Sequence, residues 1–148
     1  VSTGDQLGSD LSLRVIMFHE AIARRLGITN SEHKLLDVVA QHPEGVSPSD
    51  LASRTGLSNP AITKLVSSLE AAGYVSRRRN EADGRSVLVE LAGGYDVTMR
   101  PSTSRISERI HALSSTFSPE EVAAIERWLT GVIDVLKAET QLLEAATE

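Results

Sequence analysis

Between residues 47 and 91 the chain carries a run of local signals that leaves its fold little freedom. Ser47-Pro48 reads as a helix start, a capping hydroxyl followed by a ring that has no N–H to satisfy. Leu51, Ala52 and Leu57 supply that helix with apolar contacts, and Gly56 marks a tight turn. Ser58 then opens a second helix, whose apolar residues Ile62, Leu65, Val66 and Leu69 fall at i, i+3, i+4 and i+7 and so share one face. Gly73 closes it. Tyr74 to Arg79 and Arg85 to Leu91 read as two strands joined by a loop over residues 80–84. Val46 is placed to form a one-residue strand against the second of them.

Two helices joined by a glycine turn, then a strand, a basic loop and a strand, are the order of a winged helix-turn-helix. Helical patterns flank it. Leu11, Val15, Phe18, Ile22 and Leu26 form an amphipathic stripe that begins near Asp10 and ends at Gly27. Residues 1–9, rich in Ser, Gly and Asp, are expected to be frayed. Thr29-Asn30-Ser31 offers caps for a second helix carrying Leu35, Leu36, Val38 and Val39. Beyond the wing, Ala92-Gly93-Gly94 reads as a break. Ile106, Ile110, Leu113 and Phe117 then mark a helix that Pro101 should kink or delay. Ser118-Pro119-Glu120-Glu121 starts a last helix, with acids facing its positive dipole end. The expected fold class is mainly α with a small β-wing: a winged helix-turn-helix flanked by N- and C-terminal dimerisation helices. The expected organisation is a single unit over 1–148, with a DNA-binding part at 30–92 and dimerisation helices at 10–27 and 95–146. Aromatics make up only 3% of the chain, so the core must be Leu, Ile, Val and Ala, which suits packed helices.

The outer helices carry more apolar surface than so small a core can cover. Ile125, Leu129, Val132, Leu136 and Leu143 make a stripe longer than a monomer normally leaves exposed. A homodimer is the expected solution. It also suits DNA, because two-fold dimers present paired recognition helices one helical turn apart.

A net charge of −5 argues at first against a nucleic-acid partner, but its distribution reverses that. Residues 53–85 hold six basic and three acidic side chains, whereas residues 1–52 and 118–148 are net −3 and −5, and 86–117 is neutral. The positive segment is the helix-turn-helix and its wing. Local contact charge and counterion release set affinity for phosphates, so an acidic body does not prevent binding.

On the second helix of the motif, Ser58, Asn59, Pro60, Thr63, Lys64 and Ser67 lie opposite the apolar face. Short side chains let a helix approach a groove closely. Asn59 suits an adenine edge, Thr63 a base or a thymine methyl, and Lys64 a phosphate. In the wing, strand alternation puts Arg77 and Arg79 on one face and Arg78 on the other. Gly84 permits the bend and Arg85 sits just past the tip, where it suits a narrow minor groove. Asp83 is expected to pair with a neighbouring arginine and so fix the loop.

Leu57-Ser58 through Leu69-Glu70-Ala71-Ala72-Gly73-Tyr74-Val75, followed by Asp83-Gly84-Arg85-Ser86-Val87-Leu88-Val89-Glu90-Leu91, resembles the MarR family of bacterial transcription regulators. The Ser118-Pro119-Glu120-Glu121 start of a long last helix fits the same pattern. The resemblance runs from about Asp10 to Leu143. It implies an intertwined homodimer on a palindromic operator of double-stranded DNA, usually acting as a repressor. It also implies that Arg85 contacts DNA, and that a small aromatic or anionic effector releases the operator. The chain departs from the family at Leu91-Ala92-Gly93-Gly94, where a capping Thr commonly follows the Leu.

Other classes find little support. There is no phosphate-binding glycine loop, His-Glu-x-x-His, nucleophile elbow or cysteine, so no enzyme and no catalytic residue are expected. The alternative is a winged-helix protein-interaction module without DNA binding. It would carry apolar or acidic residues where Asn59, Thr63, Lys64 and Arg85 stand. His19, His33, His42 and His111 form no close ligand pair in the sequence, so no metal and no cofactor are expected. His19 and Arg24 are candidates for holding an anionic effector. No run approaches the roughly 18 apolar residues of a membrane span, and no basic-then-apolar leader is visible. Together with the absence of cysteine, this gives an expectation of a cytoplasmic protein with no membrane partner.

Overall fold

Short polar side chains set the helix starts. Thr29 caps the second helix in a full capping box: its hydroxyl accepts from the Glu32 N–H at 3.2 Å, and its own N–H donates to the Glu32 carboxylate at 2.7 Å. Ser47, Ser58 and Ser118 cap three more, the last again with a capping box, to Glu121. A proline stands in the first turn of each of these three, where its missing N–H costs nothing.

A computed structural model describes residues 3–84 and 86–146. In chain order its elements are α1 Thr3–Leu26, α2 Asn30–Ala40, α3 Pro48–Thr55, α4 Asn59–Ala71, β1 Val75–Arg79, β2 Val87–Leu91, α5 Gly93–Ser114 and α6 Pro119–Ala145. Two helix boundaries differ from expectation. α1 begins at Thr3 rather than near Asp10, so residues 3–9 are helical, not frayed. The physical reason is that Leu7 lies four residues before Leu11 and prolongs the same stripe. α5 begins at Gly93, ahead of Pro101, which therefore neither delays its start nor ends it. The cost is the backbone bond that the ring nitrogen cannot make to the preceding turn.

The chain forms two compact units, Val1–Pro101 and Ser102–Glu148, divided within α5. In the first, Leu35, Leu36 and Val39 of α2, Leu51 of α3, Ile62, Val66 and Leu69 of α4, Val75 and Val89 of the sheet and Met99 of α5 form one buried cluster. β1 and β2 pair antiparallel with Val75 opposite Leu91 and Arg79 opposite Val87. Val46 adds the expected bridge to Val89, through bonds of 2.9 and 2.8 Å. This third short strand ties the wing to the α2–α3 connection.

Two contacts position the recognition helix within this unit. The Tyr74 hydroxyl donates to the Leu26 carbonyl at 2.9 Å, joining the end of α1 to the α4–β1 turn. Gly94 lies so close to that turn that a β-carbon there would meet the Gly73 carbonyl oxygen at 2.5 Å. In the second unit the described residues of α6 include none that is buried.

Candidate nucleic-acid interface

α3 and α4 are separated by Gly56, which takes the left-handed conformation with φ 70° and so reverses the chain in a single residue. Ile62, Val66 and Leu69 anchor α4 to the core, leaving Ser58, Asn59, Pro60, Thr63, Lys64 and Ser67 exposed along its other side. The first turn of α4 contains no acidic residue, so its free N–H groups and dipole face solvent unopposed from within the helix. The Ser58 hydroxyl takes one of them, from Ala61, at 3.4 Å. The Thr63 hydroxyl donates back to the Asn59 carbonyl at 3.0 Å. That bond occupies its proton, so toward a base Thr63 offers its methyl group and an acceptor.

The three consecutive arginines of β1 have separate surroundings. The Arg77 guanidinium donates to the Glu70 carboxylate at 2.8 Å and to the Ser67 hydroxyl at 2.9 Å. These bonds form a strut from the base of the wing to the last turns of α4. Arg78, on the opposite face, donates to the Glu90 carboxylate at 2.7 Å and to the Glu44 carbonyl, which fastens the wing to the α2–α3 connection. Arg79 is exposed, on the face it shares with Arg77. Of the arginines expected at DNA, Arg77 is thus engaged within the protein together with Ser67, and Arg79 lies open. The strut was not foreseen because Glu70 is ten residues and a chain reversal away from the wing tip; only the fold brings it near.

The wing tip is closed by its own backbone. The Asn80 N–H donates to the Ser86 carbonyl at 2.9 Å, and the Asn80 side chain accepts from the Ala82 N–H at 3.1 Å. The Asp83 N–H and carbonyl bond to Asn80 and Ser86 at 3.3 Å, and the Asp83 side chain is exposed. Arg85 lies outside the described residues.

A second cluster lies between α1 and α2. Their facing surfaces border a cleft of about 370 Å³ that includes His19, Glu20, Asn30, His33, Lys34 and Asp37. His19 is therefore in the cleft wall, and Arg24 is not among the lining residues. By sequence spacing the four histidines form no close ligand pair. The structure corrects this for two of them: the His19 and His33 rings lie 4.9 Å apart, centroid to centroid, and both reach Asp37. Burial lowers the His33 pKa below the ordinary imidazole value, against the opposing pull of Asp37; burial also raises the Asp37 pKa, against the pull of both histidines. Sequence spacing could not reveal the pair, because its two rings come from different helices.

Residues 26–86 match the model of the MarR family. The HTH-type transcriptional regulator YcgE of Bacillus subtilis (strain 168) is 28% identical over 142 residues, covering 96% of this chain and 92% of YcgE. The HTH-type transcriptional regulator ML2140 of Mycobacterium leprae (strain TN) is 31% identical over 120 residues, covering 74% of this chain and 81% of ML2140. The structure of FabT from Streptococcus pneumoniae, solved in complex with DNA, shares the fold with a TM-score of 0.66 at 22% identity, covering 90% of this chain and 94% of FabT. The chain belongs to the MarR family: it is a winged helix-turn-helix transcriptional regulator that binds DNA.

Proposed function

We propose that this regulator works as a homodimeric repressor on a palindromic operator, and that a small effector releases it. α4 enters the major groove by its N-terminal half, where Asn59, Pro60 and Thr63 face base edges and Ser58 and Lys64 face phosphate. The wing lies alongside, with Arg79 and Arg85 toward the backbone or minor groove and Asp83 steadying the tip. Ser67 and Arg77 belong to this surface chiefly as the strut that sets the angle between helix and wing. The observation that carries the reading is the exposed, short-chained and acid-free start of α4 beside a basic hairpin braced against it.

The dimer reading rests on α6. Trp128, Ile133, Val135, Leu136, Leu142 and Leu143 are all at least half exposed in the single chain, on a helix of 27 residues. So long an apolar surface is covered most simply by a second copy. Helices over residues 10–27 and 95–146 serve this role, and residues 30–92 read DNA. No helix of the described residues is long and apolar enough to cross a membrane. On the operator reading the protein acts in the cytoplasm, where its operator is, with no catalytic activity of its own.

Gel-shift titration against the DNA flanking its own gene tests this reading. A saturable shift competed by the same DNA, and resistant to unrelated duplex, is expected; equal competition by both would sink the operator reading.

A further inference from the structure

The wing and α4 leave unexplained why two imidazoles and a carboxylate converge between α1 and α2. The Nδ1 atoms of His33 and His19 lie 3.3 and 3.7 Å from the same oxygen, Oδ2 of Asp37. Ligand atoms of all three side chains fall within 4.8 Å of one another. Around tetrahedral zinc, with bonds of about 2.0–2.1 Å, neighbouring ligand atoms stand roughly 3.3 Å apart. The His33–Asp37 separation already has that value; His19, 3.7 Å from Asp37 and within 4.8 Å of the His33 ligand atom, must move closer to both, which its exposed ring can do.

We propose that His19, His33 and Asp37 form a site for a divalent transition-metal ion of the zinc class, and that this ion is an effector of the regulator. The effector role rests on the reading of the chain as an effector-released DNA binder; the metal site itself does not.

The surroundings favour a cation over an anion. Glu20 adds a second carboxylate to the cleft wall. The one lysine lining it, Lys34, is turned away, its Nζ donating to the Thr55 carbonyl at 2.6 Å. His33 is almost fully buried while His19 is about half exposed, so the site has a fixed ligand on α2 and an approachable one on α1. Two imidazoles with one carboxylate suit zinc, cobalt, nickel or copper and disfavour magnesium, which prefers oxygen alone. Three protein ligands leave a coordination position open to water, or to Glu20.

The site also has a route to the DNA-reading surface. Next to His33 in sequence, the Glu32 carboxylate accepts the bonds of the Thr29 cap, and Leu35, Leu36 and Val39 of the same helix share the buried cluster with Ile62, Val66 and Leu69 of α4. The ionisation of Tyr95, at the start of α5, is opposed by its burial and then by the charge of Asp37. An ion drawing His19 toward Asp37 would clamp α1 onto α2, the helix on which α4 is seated.

Metal-free full-length protein titrated with zinc chloride by calorimetry, and with cobalt chloride by visible absorption, tests the site. The expected result is one ion per chain, a cobalt spectrum of low coordination number, and no response to magnesium. His19→Ala and Asp37→Asn should each weaken zinc binding by at least about 100-fold. Loss of the His33 ring threatens folding, so these two more exposed positions carry the test, with thermal melts confirming that both variants fold. No saturable zinc binding, or binding that neither variant changes, overturns the proposal; in that case the two histidines share Asp37 through electrostatic contact alone. Operator affinity measured by fluorescence anisotropy, with and without zinc, separates the two readings. Zinc binding without any DNA binding leaves the metal site standing and removes the regulator reading. DNA binding without zinc binding does the reverse, and a DNA affinity unmoved by bound zinc removes the effector role.

Discussion

Asn59 and Arg85 make different kinds of contact in the proposed complex, and their substitutions should be distinguishable. Asn59 is the exposed carboxamide at the start of α4. Asn59→Ala should relax discrimination at one base pair by about 1–3 kcal/mol and leave affinity for other sequences nearly unchanged; a binding assay over a panel of operator variants measures this. Arg85→Ala should weaken binding to every sequence and reduce the salt slope by about one phosphate contact, read from affinities over a range of salt. An unchanged slope would take the wing out of the mechanism. Arg77 illustrates what residue type alone cannot convey. An arginine two positions from Arg79 on the same strand face reads as a phosphate ligand, but Glu70 and Ser67 hold its guanidinium instead. Arg77→Ala should therefore act by loosening the helix–wing angle, lowering affinity with little change in salt slope.

At the scale of elements, local signals and long-range packing divide the work. The caps at Ser47, Ser58 and Ser118 were visible, and that of α2 was narrowed to Thr29-Asn30-Ser31, because a cap is chemistry within four residues. Thr29→Ala removes the hydroxyl that accepts from the Glu32 N–H and donates to its carboxylate, leaves the backbone half of the capping box, and should cost about 1 kcal/mol, seen in the denaturant midpoint. Gly94 shows the opposite case. Read as part of a break, it lies in the first turn of α5, pressed against the Gly73 carbonyl. Gly94→Ala would force a β-carbon against the Gly73 backbone, so the start of α5 must move away from the α4–β1 turn. A loss of roughly 1–3 kcal/mol is expected despite the better helix propensity of alanine. A thermal melt at or above wild type would show that the approach relaxes freely.

At the scale of the whole molecule, the charge distribution and the uncovered helices bear on one assembly. The negative charge falls in residues 1–52 and 118–148, outside the net-positive segment 53–85 that carries the reading surface, and that local positive charge favours contact with DNA. α6 places a 27-residue helix in solvent with no buried residue described on it. Leu129→Glu sets a carboxylate in the middle of its apolar stripe. Sedimentation should show wild type as two copies and the variant shifted toward one, with operator affinity falling in parallel. A monomeric wild type that still binds a palindrome tightly would refute the dimer.

Element order, the caps of α3, α4 and α6, the faces of α4 and the place of the wing were legible in the chain, because each depends on residues within one or two turns of each other. The fold class was legible for the same reason: hydrophobic period and turn chemistry are local. Tertiary structure alone decided which charges are available and which are consumed. Arg77 meets Glu70, Arg78 meets Glu90, and His19 meets His33 and Asp37 only once packing has brought separate helices and strands together. Periodicity says which side of an element faces inward. It does not say what stands opposite, and both the strut of the wing and the imidazole pair depend on that.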